Sequence, residues 1–201
     1  MAWKDIRIFM KKAWHFIWEE DSVLSWIVNI VLAFILIKFV VYPLLGLLLS
    51  TTHPIVAVVS NSMEHETGFD NWWQAHYMYY DGLNISNSEF TAFPMKNGFN
   101  KGDIIILAGT KPKDIKIGQI VVFQSGRPDP IIHRVVRKWN EGGVYFFQTR
   151  GDHNTISIVD ATLDETRVNQ AQVIGRAMVR VPYLGYVKIW AVSIVSFIVG
   201  R

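Results

Sequence analysis

Apolar and polar positions follow three different rhythms along the chain. In "MAWKDIRIFMKKAWHFIWEE" (1–20), Trp3, Ile6, Met10, Ala13, Trp14 and Ile17 recur at helical spacing. Lys4, Lys11, Lys12 and His15 sit among them on other faces. This predicts an amphipathic helix, lying either on the inner membrane surface or against a partner. The stretch "WIVNIVLAFILIKFVVYPLLGLLL" (26–49) is apolar almost throughout. As a helix it would reach about 36 Å, enough to cross a hydrocarbon core of about 30 Å with tilt. It is too long, and begins too far from the N-terminus, for a cleaved signal peptide, so a retained anchor is expected. Lys38, near its middle, would snorkel or face a partner helix, and Pro43 and Gly46 would kink the outer half.

From residue 55 to 182 the rhythm shortens. "IVAVVS", "DIIIL", "QIVVF", "IIHRVVRKW", "GVYFFQT" and "VIGRAMVRV" are brief runs rich in Val, Ile and Phe, broken by Gly, Pro, Asn and Asp. They predict a mainly β domain with a closed or sandwiched antiparallel sheet. Residues 66–100 form a long insertion. Trp72, Trp73, Tyr77, Tyr79 and Tyr80 in it are expected to bury a small satellite core. Asn84-Ile85-Ser86 is a glycosylation sequon in a loop predicted to lie outside. The stretch 183–200, "YLGYVKIWAVSIVSFIVG", is apolar but interrupted by Lys188, which favours a shallow membrane-associated helix over a full span. The expected organisation is therefore a cytoplasmic segment 1–25, a transmembrane anchor 26–50, an extracytoplasmic β domain 51–182 and a C-terminal apolar segment 183–201.

Charge sets the orientation. Lys4, Arg7, Lys11 and Lys12 precede the anchor, and no Lys or Arg follows it until Lys96. The positive-inside rule puts the N-terminus in the cytoplasm, the β domain outside and the chain in the cell membrane. The net charge of +3 is scattered without a basic, aromatic-interleaved stripe, so nucleic acid is not an expected partner. With no cysteine, a disulfide framework, thiol catalysis and Cys-type zinc sites are excluded. His65, Asp70, His76 and Asp81 match no metal-ligand spacing, and neither metal nor cofactor is expected.

The chemistry centres on "SNSMEH" (60–65), just past the anchor. Ser60 and Ser62 read either as a polar turn or as a nucleophile with an oxyanion donor beside it. A serine needs a base to take its proton. Of the six histidines, His133 and His153 remain on the β domain away from the insertion and the membrane. His133 stands inside the apolar run "DPIIHRVV", where a buried imidazole requires partners. "TRGDHN" (149–154) presents Asp152 on a glycine turn, and Asp160 follows in "SIVDATLDE". Serine, histidine and acid are present, but sequence alone cannot bring them together.

"SNSMEH", "KGDIIIL", "IGQIVVFQSGRPDPIIHRVV" and "TRGDHN", in that order behind one anchor, resemble the boxes of type I signal peptidases, specifically the archaeal and endoplasmic-reticulum branch. The resemblance implies a coiled β-sheet domain and a serine endopeptidase that removes signal peptides from secretory preproteins after small residues. It implies Ser62 as nucleophile, His133 as general base, and the Ser60 hydroxyl with the Ser62 backbone N–H as oxyanion donors. An acid is implied for His133. Asp160 is favoured, with Asp152 as a structural or catalytic companion and Asp164 an outsider. Asp160 lies further from Asp152 than the family spacing, and His65 stands where the box usually carries proline. The lipid bilayer and accessory membrane subunits are the other expected partners. A non-enzymatic accessory or scaffold subunit of a secretion complex is the alternative. A self-cleaving regulator with a lysine base is discounted because no Lys replaces His133.

Overall fold

The computed structural model describes residues 3–186, 190, 193 and 197. Most of the apolar stretch expected to associate with the membrane near the C-terminus, 187–201, therefore lies outside the described residues. Two units are distinguished, Met1–Leu48 and Leu49–Arg201.

The first unit is helical. Helix α1 (Trp3–Trp18) turns into α2 (Val23–Leu36), where Ser22 caps the new helix by accepting from the Ser25 N–H. Ser25 Oγ donates back to Phe16 O at 2.6 Å and Asn29 Nδ2 to Ile17 O at 2.9 Å, so two polar side chains fix the elbow. After α2 the helix widens to a π turn over Ile37–Val41 and resumes as α3 (Tyr42–Leu48). Pro43 has no N–H and crowds the carbonyl four residues back, which the wider turn accommodates. Val23–Leu48 is long and apolar enough to cross a membrane. The Lys38 ammonium lies 5.4 Å from the Phe39 ring and 5.7 Å from the Phe34 ring.

The second unit is built on strands β1 (Ile55–Ala57), β2 (Ile104–Ala108), β3 (Ile120–Phe123), β4 (Ile131–Glu141), β5 (Val144–Arg150), β6 (Val168–Asn169) and β7 (Val173–Val181). They form one curled antiparallel sheet in the order β1-β2-β7-β3-β4-β5-β6. The mainly β expectation is met. Short runs rich in β-branched residues favour strands, and their alternation gives each face of the sheet a core. One cluster gathers Val58, Met63, Phe99, Ile105, Leu107, Ile120, Val122 and Ile132. The other gathers Ile115, Val121, Phe123, Val135, Phe147, Leu163 and Val168. Breaks in register within β2–β7, β3–β7 and β4–β5 mark bulges that help the sheet curl.

The insertion carries helices α4 (Phe69–Asp81) and α5 (Asn87–Thr91), the latter closed by a capping box between Ser86 and Glu89. Trp72, Tyr80, Ile85 and Phe90 are buried against Val136 of β4, with Trp73 and Tyr79 packed on them, so the aromatic residues form a satellite core except Tyr77, which is exposed. Trp72 should be the keystone of that core. Trp72→Ala is expected to destabilise the folded domain by about 3–5 kcal/mol, whereas Ser at the exposed Met78 should stay within about 0.5 kcal/mol. Chemical denaturation of the full chain in detergent checks both.

Candidate active site

The nucleophile candidate sits on the turn that follows β1. Glu64 N–H donates to Asn61 O at 3.0 Å and closes the turn. Met63 is driven wholly into the core, with its carbonyl bonded to Phe99 N–H at 2.9 Å. The Ser62 carbonyl accepts from His153 N–H at 2.9 Å. With its neighbours locked, Ser62 is left half-buried, and its Oγ lies 3.2 Å from Ser60 Oγ. Both serines line a cleft of about 370 Å³ together with Val56, Ile132, His133 and Asn154.

His133 comes from β4, directly across from Val121 of β3, and is 4 % exposed. Its Nδ1 meets Glu165 Oε1, and this pair is buried on both sides. Glu165 is fully buried and held from every side. Thr149 Oγ1 donates to Oε1 at 2.9 Å and Ile158 N–H to Oε2 at 2.8 Å. The Glu165 backbone bonds to Thr149 N–H and Ile158 O. A carboxylate accepting at Nδ1 fixes the imidazole as the Nδ1–H tautomer and leaves the Nε2 lone pair free. Gly151 shows where Nε2 lies. A methyl group there would meet Ser62 O at 2.7 Å, Asn154 Nδ2 at 2.7 Å and His133 Nε2 at 2.8 Å, so only glycine lets these groups approach.

The two expected acids go elsewhere. Asp160 is exposed. Its Oδ1 accepts from Thr162 and from Leu163 N–H, and its Oδ2 from Arg127 Nη2 at 2.7 Å. It shapes the bend that delivers Glu165 and is hydrogen-bonded to that bend rather than to His133. Asp164 caps Thr166 in the same manner. Asp152 is buried, but its carboxylate faces Arg134, with Nε to Oδ1 at 2.9 Å and Nη2 to Oδ2 at 2.6 Å, and accepts from His65 Nε2 at 3.1 Å. Burial opposes its charge, yet Arg134 and then His65 hold its carboxyl down at about 2. Arg134 also donates to Pro94 O, Met95 O and Gly118 O. Asp152 is thus a brace between the strand that carries His133 and the turn that carries Ser62.

His65, in the position expected for proline, is the other end of that brace. Its ring stacks 3.8 Å from Trp72, whose Nε1 donates to Asp152 O at 2.9 Å. His76 bonds Arg150 Nη2 at 2.7 Å through Nδ1. His65 and His76 both pack against Trp72 but bond different partners, and no metal-binding cluster occurs among the described residues.

Glu165 is the residue that sequence reasoning missed. The spacing Leu163-x-Glu165 places it on the same inward face as a core leucine, a signal masked by the expectation of aspartate.

No family model matches the chain. It is similar to the signal peptidase complex catalytic subunit SEC11 of Yarrowia lipolytica, 29 % identical over 131 residues covering 61 % of this chain and 76 % of that protein. The SEC11 subunit of Scheffersomyces stipitis is 28 % identical over 165 residues, 81 % of this chain and 80 % of that protein. The human catalytic subunit SEC11C is 36 % identical over 100 residues, 47 % of this chain and 51 % of that protein.

Two predictions concern the packing around the site. Asp152→Asn leaves the Arg134 charge buried without its partner and should lower stability by about 3–5 kcal/mol in chemical denaturation. Burial first, then Arg150, lowers the His76 pKa from 6.5 to about 4. The unfolded chain therefore takes up a proton across that window that the folded chain refuses, and stability falls as pH drops from 6.5 to about 4. His76→Phe should flatten that part of a Tm-against-pH profile.

Proposed function

Because the chain is homologous to SEC11-type signal peptidase catalytic subunits, we propose that it is a membrane-anchored serine endopeptidase that removes signal peptides from exported preproteins after small residues. The observation that carries this reading is the buried His133–Glu165 pair in the cleft that Ser62 lines. The scaffold alternative gives no reason to keep such a pair there.

In this reading His133 Nε2 takes the proton from Ser62 Oγ as the hydroxyl attacks the scissile carbonyl. Glu165 steadies the imidazolium and keeps the ring in its productive tautomer. Negative charge develops on the carbonyl oxygen, and the Ser62 N–H with the Ser60 hydroxyl stabilises it. His133 then protonates the leaving amine, an acyl-enzyme remains on Ser62, and water activated by the same base releases the signal peptide. The brace Arg134–Asp152–His65 holds base and nucleophile in register and takes no proton.

Substrate recognition follows from the sheet. Among the described residues β1 has a strand neighbour, β2, on one side only, and Val56 and Ala57 of β1 line the cleft. An extended peptide adds to such an edge through main-chain hydrogen bonds, and shallow apolar pockets admit small alternate side chains. The proposal includes the placement that the sequence predicts. The N-terminus is cytoplasmic, the catalytic domain lies outside, the chain sits in the cell membrane and accessory subunits accompany it.

The test is cleavage of a model preprotein by purified, folded protein in liposomes. Ser62→Ala and His133→Ala should each lose roughly a thousandfold or more in kcat. Glu165→Gln, which keeps the shape but not the charge, should fall nearly as far, whereas Asp160→Asn should retain most activity. Full activity in Ser62→Ala would rule out the mechanism, and loss with Asp160→Asn but not Glu165→Gln would restore the aspartate assignment.

A further inference from the structure

Asn154 lines the cleft beside Ser62 and His133, and its backbone is tightly held. Its N–H donates to Gly151 O at 2.9 Å, and its carbonyl accepts from Arg150 Nε at 2.6 Å and from Arg150 Nη2. Arg150 is itself buried, with its guanidinium 4.2 Å from the Tyr79 ring and 5.1 Å from the Tyr80 ring. The satellite core of the insertion therefore anchors the loop that presents Asn154.

The Asn154 side chain is left differently. Its Nδ2 is buried and has no hydrogen-bond partner among the described residues. An amide NH₂ carries two donors, and a buried donor without an acceptor destabilises the fold by about 1–3 kcal/mol. Folded proteins seldom retain such a group, and those that do call for an explanation. Here the nitrogen lies within 2.7 Å of the point above Gly151 that His133 Nε2 approaches to 2.8 Å. Because the Asn154 side chain lines the cleft, a rotation of its amide would present this unpaired donor to a ligand acceptor beside the base.

The peptidase reading supplies that acceptor, and this inference rests on it. His133 Nε2 has to reach both the Ser62 hydroxyl and the leaving amine, so the scissile bond must lie beside it. An extended peptide carries one carbonyl per residue, while small side chains at the cleavage site offer few other acceptors. We propose that Asn154 is a substrate-binding residue whose Nδ2–H donates to a main-chain carbonyl oxygen of the bound peptide next to the scissile bond. The bond forms on binding, so it acts on affinity more than on the chemical step.

The test compares wild type with Asn154→Leu, which keeps the approximate shape and removes the donor, and with Asn154→Ser as a smaller second variant. Three quantities are read from full-length protein in liposomes: Tm, the steady-state constants for a model preprotein, and Kd for the same uncleaved preprotein in the Ser62→Ala background. The expected result is a Tm equal to or above wild type, KM and Kd raised about tenfold or more, and kcat within about threefold. A structural role would instead lower Tm and reduce activity in proportion to unfolding, which would overturn the proposal. So would unchanged Kd in a stable variant. Wild-type protein that neither cleaves nor, as Ser62→Ala, binds the preprotein would sink the peptidase reading and this inference together. Cleaving wild type with an equally tight Asn154→Leu would sink this inference alone.

Discussion

The arrangement of the β domain depends on one buried ion pair. Arg134 and Asp152 meet with neither side chain exposed, at 2.6 Å for the shorter contact. Such a pair adds little net stability over a well-packed apolar core, but breaking it leaves a charge stranded in low dielectric. Its value here is positional. Arg134 is the chain neighbour of His133, and Asp152 follows Gly151, which packs against the Ser62 carbonyl and His133 Nε2. A shift of either partner would move His133 or Ser62, so the charge pair makes the relative position of two distant segments a condition of folding.

The helical insertion is tied to the same brace. His65 donates to Asp152 and stacks on Trp72, and Trp72 bonds back to the Asp152 carbonyl. Arg134 reaches Pro94 O and Met95 O at the insertion's far end. The same face of α4 meets Arg150 through His76 and Tyr80, with Tyr79 beside them. A segment of this length without structure of its own is uncommon in a folded domain. Here it forms a packed aromatic wedge behind the site, holding in place the 150–154 turn from which Asp152 braces and Asn154 faces the cleft.

The bend from Asp160 to Leu163 brings Glu165, and neither of the expected aspartates, to Nδ1 of His133. Asp160 and Asp164 remain at the surface because their oxygens complete local turns, as aspartate does readily when a backbone N–H lies two or three residues ahead.

Much of this protein was determined by local sequence. An apolar run long enough to span a bilayer, short β-branched strands between turn residues, and an aromatic-rich insertion each follow from periods and propensities that act over a few residues. The serine turn and the strand histidine were legible for the same reason. Which carboxylate faces His133 was not legible, because three acids within six residues differ only in which way the bend turns them. The placements of His65 and Asn154 were equally hidden, since burial and the absence or presence of a partner are properties of packing. Local chemistry named the groups, and long-range closure of the sheet around the Arg134–Asp152 pair decided which of them meet.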